Sequence, residues 1–386
     1  MTDLHLQPIV MDIGSLSSKV GFAGGTSPKY TYDSILGRIK HKRVIPGGAL
    51  EKETSNKGRN EDNDVYCGQS VSNHPGAFTL SQPISYNGAV ESHSDLHTLV
   101  NHGLSKLNVL SASTEHPVLL TENPTAVNLV GNRCSLAEFM FEYLNSPAIF
   151  FGPAGVLSLY STGKTTGVVL DIGDSGCQVT PIYEGLGLHH SILGSSIGGR
   201  RTTDVLQKLL TRSTGLSLTT SAEYHMVRRM KEDCCYVSVD TSSTEDAQWL
   251  LPDGTPVTLP PTLRTQPAEV LFNPSEYTGS EEPGVHRLLH RSVMSCDVDV
   301  RARLFESIEL VGGGTMMPGL PERVLKEVRG LSPPHTTLRL SATEERKNAA
   351  WVGGSILASL STFKGMWVSK ERWREEGGGC MRDAML

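Results

Sequence analysis

The stretch that decides the fold is Thr166-Gly167-Val168-Val169-Leu170-Asp171-Ile172-Gly173-Asp174-Ser175-Gly176-Cys177-Gln178-Val179. It opens with an apolar run that suits a buried strand, breaks at Asp-Ile-Gly and a polar turn, and resumes as a strand. The N-terminus repeats the pattern. Pro8-Ile9-Val10-Met11 is apolar, Asp12-Ile13-Gly14-Ser15-Leu16-Ser17-Ser18 supplies turn formers, and Lys19-Val20-Gly21-Phe22-Ala23 resumes the strand. Asp12 and Asp171 stand 159 positions apart (171 − 12), which suggests two similarly built halves. A third glycine-rich turn, Gly312-Gly313-Gly314-Thr315-Met316-Met317-Pro318-Gly319, follows the apolar Ile308-Glu309-Leu310-Val311. Leu320–Val328 after it reads as a helix. Strand, turn and helix in alternation predict an α/β sheet in each half.

Outward from these turns the chain is less regular. Residues 38–64, RIKHKRVIPGGALEKETSNKGRNEDND, are polar, charged and rich in Gly and Asn, and an exposed, mobile insertion is expected there. The spacing from 94 to 108 predicts a short surface helix. Residues 135–146 (SLAEFMFEYLNS) predict a better one, with Ser135 as N-cap and Glu138 completing a capping box. The 386 residues suit two or three packed units, and 20% charged with 38% apolar residues excludes wholesale disorder. With 35 Lys+Arg against 41 Asp+Glu, a net charge of -6 and a pI near 6.1, the chain lacks the basic balance of a nucleic-acid binder. The nearly apolar run Ile149–Tyr160 is shorter than the roughly 20 residues of a bilayer span and contains Pro153. MTDLHLQPIV has neither a charged n-region nor an apolar h-region, so no secretory signal is expected. Seven cysteines, at 67, 134, 177, 234, 235, 296 and 380, form no CxxC pair, which fits reduced thiols in an intracellular compartment.

A strand that ends in Asp followed by small residues can hold a metal nucleotide. Small side chains let backbone N–H groups approach phosphate oxygens, and the carboxylate can hold Mg²⁺ directly or through water. Taken singly, each Asp-x-Gly is a hairpin turn. The duplication and the third glycine-rich turn argue for two phosphate loops, with Lys19 as a cation against them. Other motifs are weaker. Ser158 to Gly163-Lys164-Thr165 ends like a P-loop, but Ser158 stands where the first glycine is required. His93 and His97 have metal-compatible spacing without a third ligand and read as a solvated helix face. Cys234 and Cys235 read as core thiols on the helix of Lys231 and Glu232.

The chain also resembles actin. Pro117-Val-Leu-Leu-Thr-Glu122, Val156-Leu-Ser-Leu-Tyr160, Pro181-Ile-Tyr-Glu-Gly185, Leu251-Pro-Asp-Gly254 and Cys296-Asp-Val-Asp299 resemble actin segments in the same order. So do Trp351-Val-Gly-Gly-Ser-Ile-Leu-Ala-Ser-Leu-Ser-Thr-Phe363 and Met366-Trp-Val-Ser-Lys370. The resemblance is strong after residue 117, weak between 33 and 116, and closer to an actin-related protein, such as that of the dynactin filament, than to conventional actin. It implies an α/β, actin-like ATPase fold with two duplicated lobes and four subdomains around a nucleotide cleft. Residues 1–161 would form the small lobe, with 33–82 as its divergent subdomain. Residues 162–348 would form the large lobe, with 198–279 as its outer subdomain, and 349–386 would return to the small lobe. The implied cofactors are ATP or ADP with Mg²⁺ or Ca²⁺. Asp12, Gly14, Ser15 and Lys19 would hold the β- and γ-phosphates, while Asp171, Gly173 and Asp174 serve the opposite side. Asp12 and Asp171 would face the metal through water. Arg228, Lys231 and Glu232 match the adenosine-binding helix, Gly313, Gly314, Thr315 and Met317 the turn beside the base, and Lys347 the lysine bordering the adenine. Met317 replaces an aromatic and Leu16 a glycine.

The resemblance supports binding better than hydrolysis. Ala154, in Gly152-Pro153-Ala154-Gly155-Val156, stands where actin has the glutamine that orients the attacking water, and Gln178 stands at the assisting histidine. Alanine cannot hydrogen-bond a water, and Gln178 is a poor proton relay, with Asp171 left as a partial substitute. Slow or absent turnover is expected. Polymerisation is disfavoured too: Glu276-Tyr277-Thr278-Gly279-Ser280-Glu281 replaces actin's apolar plug, and charges fill the inserted loop within 38–64. Residues matching the partner cleft are kept, namely Tyr160, Gly163, Thr165, Gly185, Leu357, Leu360, Thr362 and Met366. The expectation is an ATP-loaded subunit of a larger cytoskeletal assembly, in the cytoplasm or a cilium, that binds protein partners through this cleft. No direct nucleic acid, membrane or long homopolymer is expected. The alternatives are a polymerising actin-like ATPase and a nuclear subunit of a chromatin-remodelling complex; a sugar or acetate kinase is more distant.

Overall fold

A computed structural model describes residues 7–40, 65–85, 89–109, 115–239 and 245–383. Most of the insertion expected at 38–64 and the last residues of the tail lie outside them. The chain divides into two compact units, Met1–Thr165 with Asn348–Leu386, and Thr166–Lys347.

The first unit is built on a six-stranded sheet ordered Val368–Ser369, Ala148–Pro153, Val118–Glu122, Ile9–Ile13, Ser17–Phe22, Tyr30–Asp33. Strands Ile9–Ile13, Val118–Glu122 and Ala148–Pro153 run parallel, with Met11 opposite Leu120 and Leu120 opposite Phe151. Their continuous apolar runs suit strands covered on both faces. The N-terminal hairpin forms as predicted and pairs Asp12 with Lys19. Helix Ala349–Ser359 lies so close on helix Ala154–Ser161 that a Cβ on Gly353 would overlap the Leu157 carbonyl oxygen. Only glycine permits that approach. Trp351 is fully buried and donates from Nε1 to the Val10 carbonyl at 2.9 Å. Ser158 lies inside helix Ala154–Ser161, so the P-loop look-alike is the end of a helix, with Gly163 turning at φ 74°.

The helix expected from 94 spans His93–Lys106, its N-cap Ser92 accepting from the Asp95 amide at 3.2 Å. The helix expected over 135–146 is placed differently. An α-helix runs Leu129–Glu138 and widens into a π turn over Phe139–Tyr143. Ser135 is therefore interior and caps nothing, because residues upstream already supply the carbonyls that a cap would replace. The upstream start is fixed by Arg133, whose Nε donates to Glu122 Oε2 at 2.6 Å and whose Nη1 donates to the Met381 carbonyl at 3.2 Å. The solvated face expected for His93 and His97 is also corrected. His97 stacks on Phe139 with ring centroids 4.1 Å apart, and burial, then His93, lowers its pKa.

The second unit repeats the hairpin. Gly167–Ile172 pairs with Cys177–Tyr183, placing Asp171 opposite Gln178. Strand Ile308–Val311 lies parallel to Gly167–Ile172, and the glycine-rich turn leads into helix Leu320–Leu331 as expected. The sheet order is Leu186–Gly187, Cys177–Tyr183, Gly167–Ile172, Ile308–Val311, Leu340–Ser341, with Leu193–Ser195 also against Cys177–Tyr183. All seven cysteines are free, and burial pushes the thiols of Cys177 and Cys235 up to about 12. No described helix is long and apolar enough to cross a membrane.

Candidate functional site

In the first unit the chemistry gathers at the carboxyl ends of three parallel strands. Asp12 is next to last in one strand, Thr121 and Glu122 end the next, and Pro153 ends the third, where Ala154 begins a helix. Lys19 donates from Nζ to Asp12 Oδ2 at 2.7 Å, and Thr121 donates to Oδ1 at 2.6 Å. Lys19 is buried, so its charge is directed to the carboxylate rather than to solvent. Gly14 and Ser15 form the tight turn, closed by the Gly14 amide donating to the Ser17 carbonyl at 3.2 Å. Leu16 lies in the same turn, and its carbonyl accepts from the Ser34 amide at 2.8 Å. The Ala154 methyl stands at the first position of its helix, with no side-chain hydrogen-bonding group there.

In the second unit the turn Gly173–Gly176 is closed by the Gly173 amide on the Gly176 carbonyl at 2.8 Å. The helix starting at Gly199 clasps it: the amides of Gly199 and Arg200 donate to the carbonyls of Gly173 and Asp174, each at 2.9 Å. Asp174 turns its carboxylate to Arg200 Nε at 2.8 Å, and both side chains are buried. Lys231 reaches the same place, donating to the Gly199 carbonyl at 2.9 Å. Burial lowers its pKa, against the opposing pull of Asp174. Gln178 is buried and donates to Thr180 Oγ1 at 2.9 Å.

The third turn stands beside Asp171. Gly312 has φ 91°, and a Cβ there would collide with Asp171 Oδ1. Thr315 is fully buried, its hydroxyl donating to the Gly312 carbonyl at 2.7 Å. Arg346 clamps the turn through Nε to Thr315 Oγ1 and Nη2 to the Thr315 carbonyl, each at 3.1 Å. Met317 packs half-buried against the unit's apolar clusters. Arg228 faces Glu232 at 3.7 Å on helix Ser221–Cys234, while Glu232 and Lys347 are exposed.

Two glycines test the fit to a ligand. A Cβ on Gly313 would meet nothing within 4 Å, and one on Gly173 only the Gly176 carbonyl at an ordinary 3.5 Å. Neither has the positive φ that favours glycine. Internal packing does not demand glycine at either position, whereas a phosphate or base approaching the backbone does. Taken unit by unit, Lys19 with the Asp12 carboxylate in the first, and Lys231 with the Asp171 carboxylate in the second, are groups of the kind that hold the phosphates and the divalent cation of a nucleotide. No group of three or more His, Cys, Asp or Glu among the described residues suits a metal alone.

Sequence reasoning missed Thr121, Arg200 and Arg346. The signal for Arg200 was present in Gly198-Gly199-Arg200, a glycine pair at a helix start.

Of the residues matched to a partner cleft, Leu360 and Met366 are exposed at 47% and 44%, as are Gly163, Thr165 and Thr362. Tyr160 and Leu357 are half-buried against the cluster around Trp351. Gly185 is a buried turn residue at φ 87°.

A duplicated β-hairpin, each copy turning at Asp-x-Gly and paired with a parallel strand of its α/β unit, defines the architectural class. The chain matches the Actin family model over residues 3–383, and it belongs to the actin family. Members of this family generally bind a nucleotide with a divalent cation.

Proposed function

We propose that this chain is an actin-related protein that holds ATP or ADP, with Mg²⁺ or Ca²⁺, as a structural ligand and hydrolyses it slowly or not at all. Asp12, Gly14, Ser15 and Lys19 would hold the phosphates from one unit. Asp171, Gly173, Lys231 and the Gly312–Thr315 turn would hold the nucleotide from the other, with Arg228, Glu232, Met317 and Lys347 toward the adenosine. Asp174 contributes through its ion pair with Arg200. The observation that carries slow hydrolysis is Ala154, an aliphatic group at a helix start where a water would have to be oriented.

The same reading makes the protein a subunit of a cytoskeletal assembly, with Leu360 and Met366 as apolar anchors for a protein partner. The four-subdomain division belongs to this proposal. So does weak self-assembly: in the segment matching the apolar plug, Tyr277 packs against its own unit's core. The deciding experiment is chromatography of an acid extract of the purified protein, followed over hours with Mg²⁺. Retained ATP supports the proposal. Conversion to ADP with phosphate release overturns slow hydrolysis, and absence of nucleotide overturns binding. Partners captured by the wild type and lost on Leu360→Asp distinguish cytoskeletal from chromatin hosts.

A further inference from the structure

Glu282 lies far in sequence from every residue assigned to nucleotide. Its carboxylate collects four donors. Oε2 accepts from the Ser195 hydroxyl and from the Ser196 amide at 2.7 Å, and Oε1 accepts from the Ser196 hydroxyl at 2.7 Å and the Ser280 hydroxyl at 3.4 Å. Burial alone would raise its pKa, but these hydrogen bonds hold the carboxyl below its ordinary value. A surface glutamate without a structural task would not be saturated in this way.

The residues it grips lead directly into the segment that clasps the second Asp-x-Gly turn. Ser195 pairs with Cys177 in the sheet, and a Cβ on Gly176 would collide with the Ser195 carbonyl oxygen. The Ser195 hydroxyl accepts from the Ile197 amide at 3.2 Å. Next comes Gly198, where a Cβ would sit 2.8 Å from the Gly173 carbonyl and 2.9 Å from that of Asp174. Gly199 and Arg200 then make the clasp on the turn. Close backbone packing of this kind has no slack, so fixing residues 195–197 fixes residues 198–200 and the turn beneath them.

We propose that Glu282 is a positioning residue that holds the Ser195–Arg200 segment against the Gly173–Gly176 turn and so presets that turn for phosphate. The last clause rests on the nucleotide reading; the mechanical part does not. It also ties Ser280, in the segment matching actin's intersubunit plug, to its own unit.

The test uses the full chain and Glu282→Gln, with Ser196→Ala as a second variant that keeps the carboxylate and removes one donor. Hydrogen exchange without added nucleotide should quicken about tenfold at the amides of Gly173, Gly199 and Arg200, as expected when a charged hydrogen-bond set is lost. Titration with ATP and with adenosine should show ATP affinity falling about tenfold and adenosine affinity unchanged. Unaltered exchange in both variants overturns the proposal, as does an equal loss for ATP and adenosine. Quickened exchange in a protein that binds no ATP even as wild type leaves the strut standing and overturns the nucleotide reading instead.

Discussion

Thr121 donates its hydroxyl to Asp12 Oδ1 at 2.6 Å while Lys19 holds Oδ2 at 2.7 Å, so both oxygens of the first-turn carboxylate are oriented from opposite sides. The Thr121 bond joins residues 109 positions apart, across the parallel pair of strands Ile9–Ile13 and Val118–Glu122. A carboxylate held this way keeps lone pairs for ordered water and loses the freedom to swing.

Thr121→Val keeps the branched shape and removes the donor, and a hydrogen bond to a charged group is worth about 1.5–3 kcal/mol. Divalent-ion affinity measured with a chelating dye should fall about tenfold or more. Thr121→Ser should restore it. Equal affinity in the valine variant would show that Lys19 alone orients Asp12.

The Asp174–Arg200 ion pair is buried on both sides. Removing one partner of such a pair leaves an uncompensated charge and costs about 3–5 kcal/mol. Arg200→Ala should therefore lower the denaturant midpoint of the second unit strongly. Arg200→Lys should rescue it only in part, since an ammonium cannot reproduce the guanidinium geometry. A Lys variant as stable as wild type would mean that charge alone matters there.

What was legible in the sequence was local. Both hairpins and the strand–turn–helix at 308–331 follow from apolar runs broken by Asp, Gly and Ser, and each formed where the pattern put it. The fastenings were not legible, because their partners are remote: Arg200 reaches back 26 positions to Asp174, Arg346 back 31 to Thr315, and Glu282 back 86 to Ser196. Ser135 shows the opposite failure. Its capping pattern was present, but a cap acts only on orphan amides, and Arg133 had already drawn the helix upstream.

Burial lowers the pKa values of His97, His286 and His290. His286 is the most enclosed: its Nδ1 finds no partner among the described residues, with Glu327, Arg287 and Arg323 near enough to influence it. Each histidine binds its proton less readily folded than unfolded, so the unfolded chain holds more protons below the ordinary value of 6.5. Stability should be flat above that pH and decline as pH falls below it. Urea midpoints between pH 7.5 and 5 test this, and His286→Gln should shallow the decline. A midpoint that holds or rises on acidification would contradict the assignment.

Ala154 offers a gain-of-function prediction. It opens helix Ala154–Ser161 at the end of strand Ala148–Pro153, beside the strand end that carries Thr121 and Glu122. A glutamine there would add a donor and an acceptor next to the Asp12 turn without disturbing the buried Gly155 and Val156 that follow. Phosphoryl transfer depends chiefly on positioning, and misplacing a reacting group can cost about 10²-fold. Ala154→Gln should therefore raise phosphate release severalfold or more at unchanged ATP affinity. Combined with Gln178→His, which replaces the side chain opposite Asp171, it should raise release further. If both variants bind ATP like wild type and release phosphate no faster, the slow turnover proposed for this chain does not originate at Ala154.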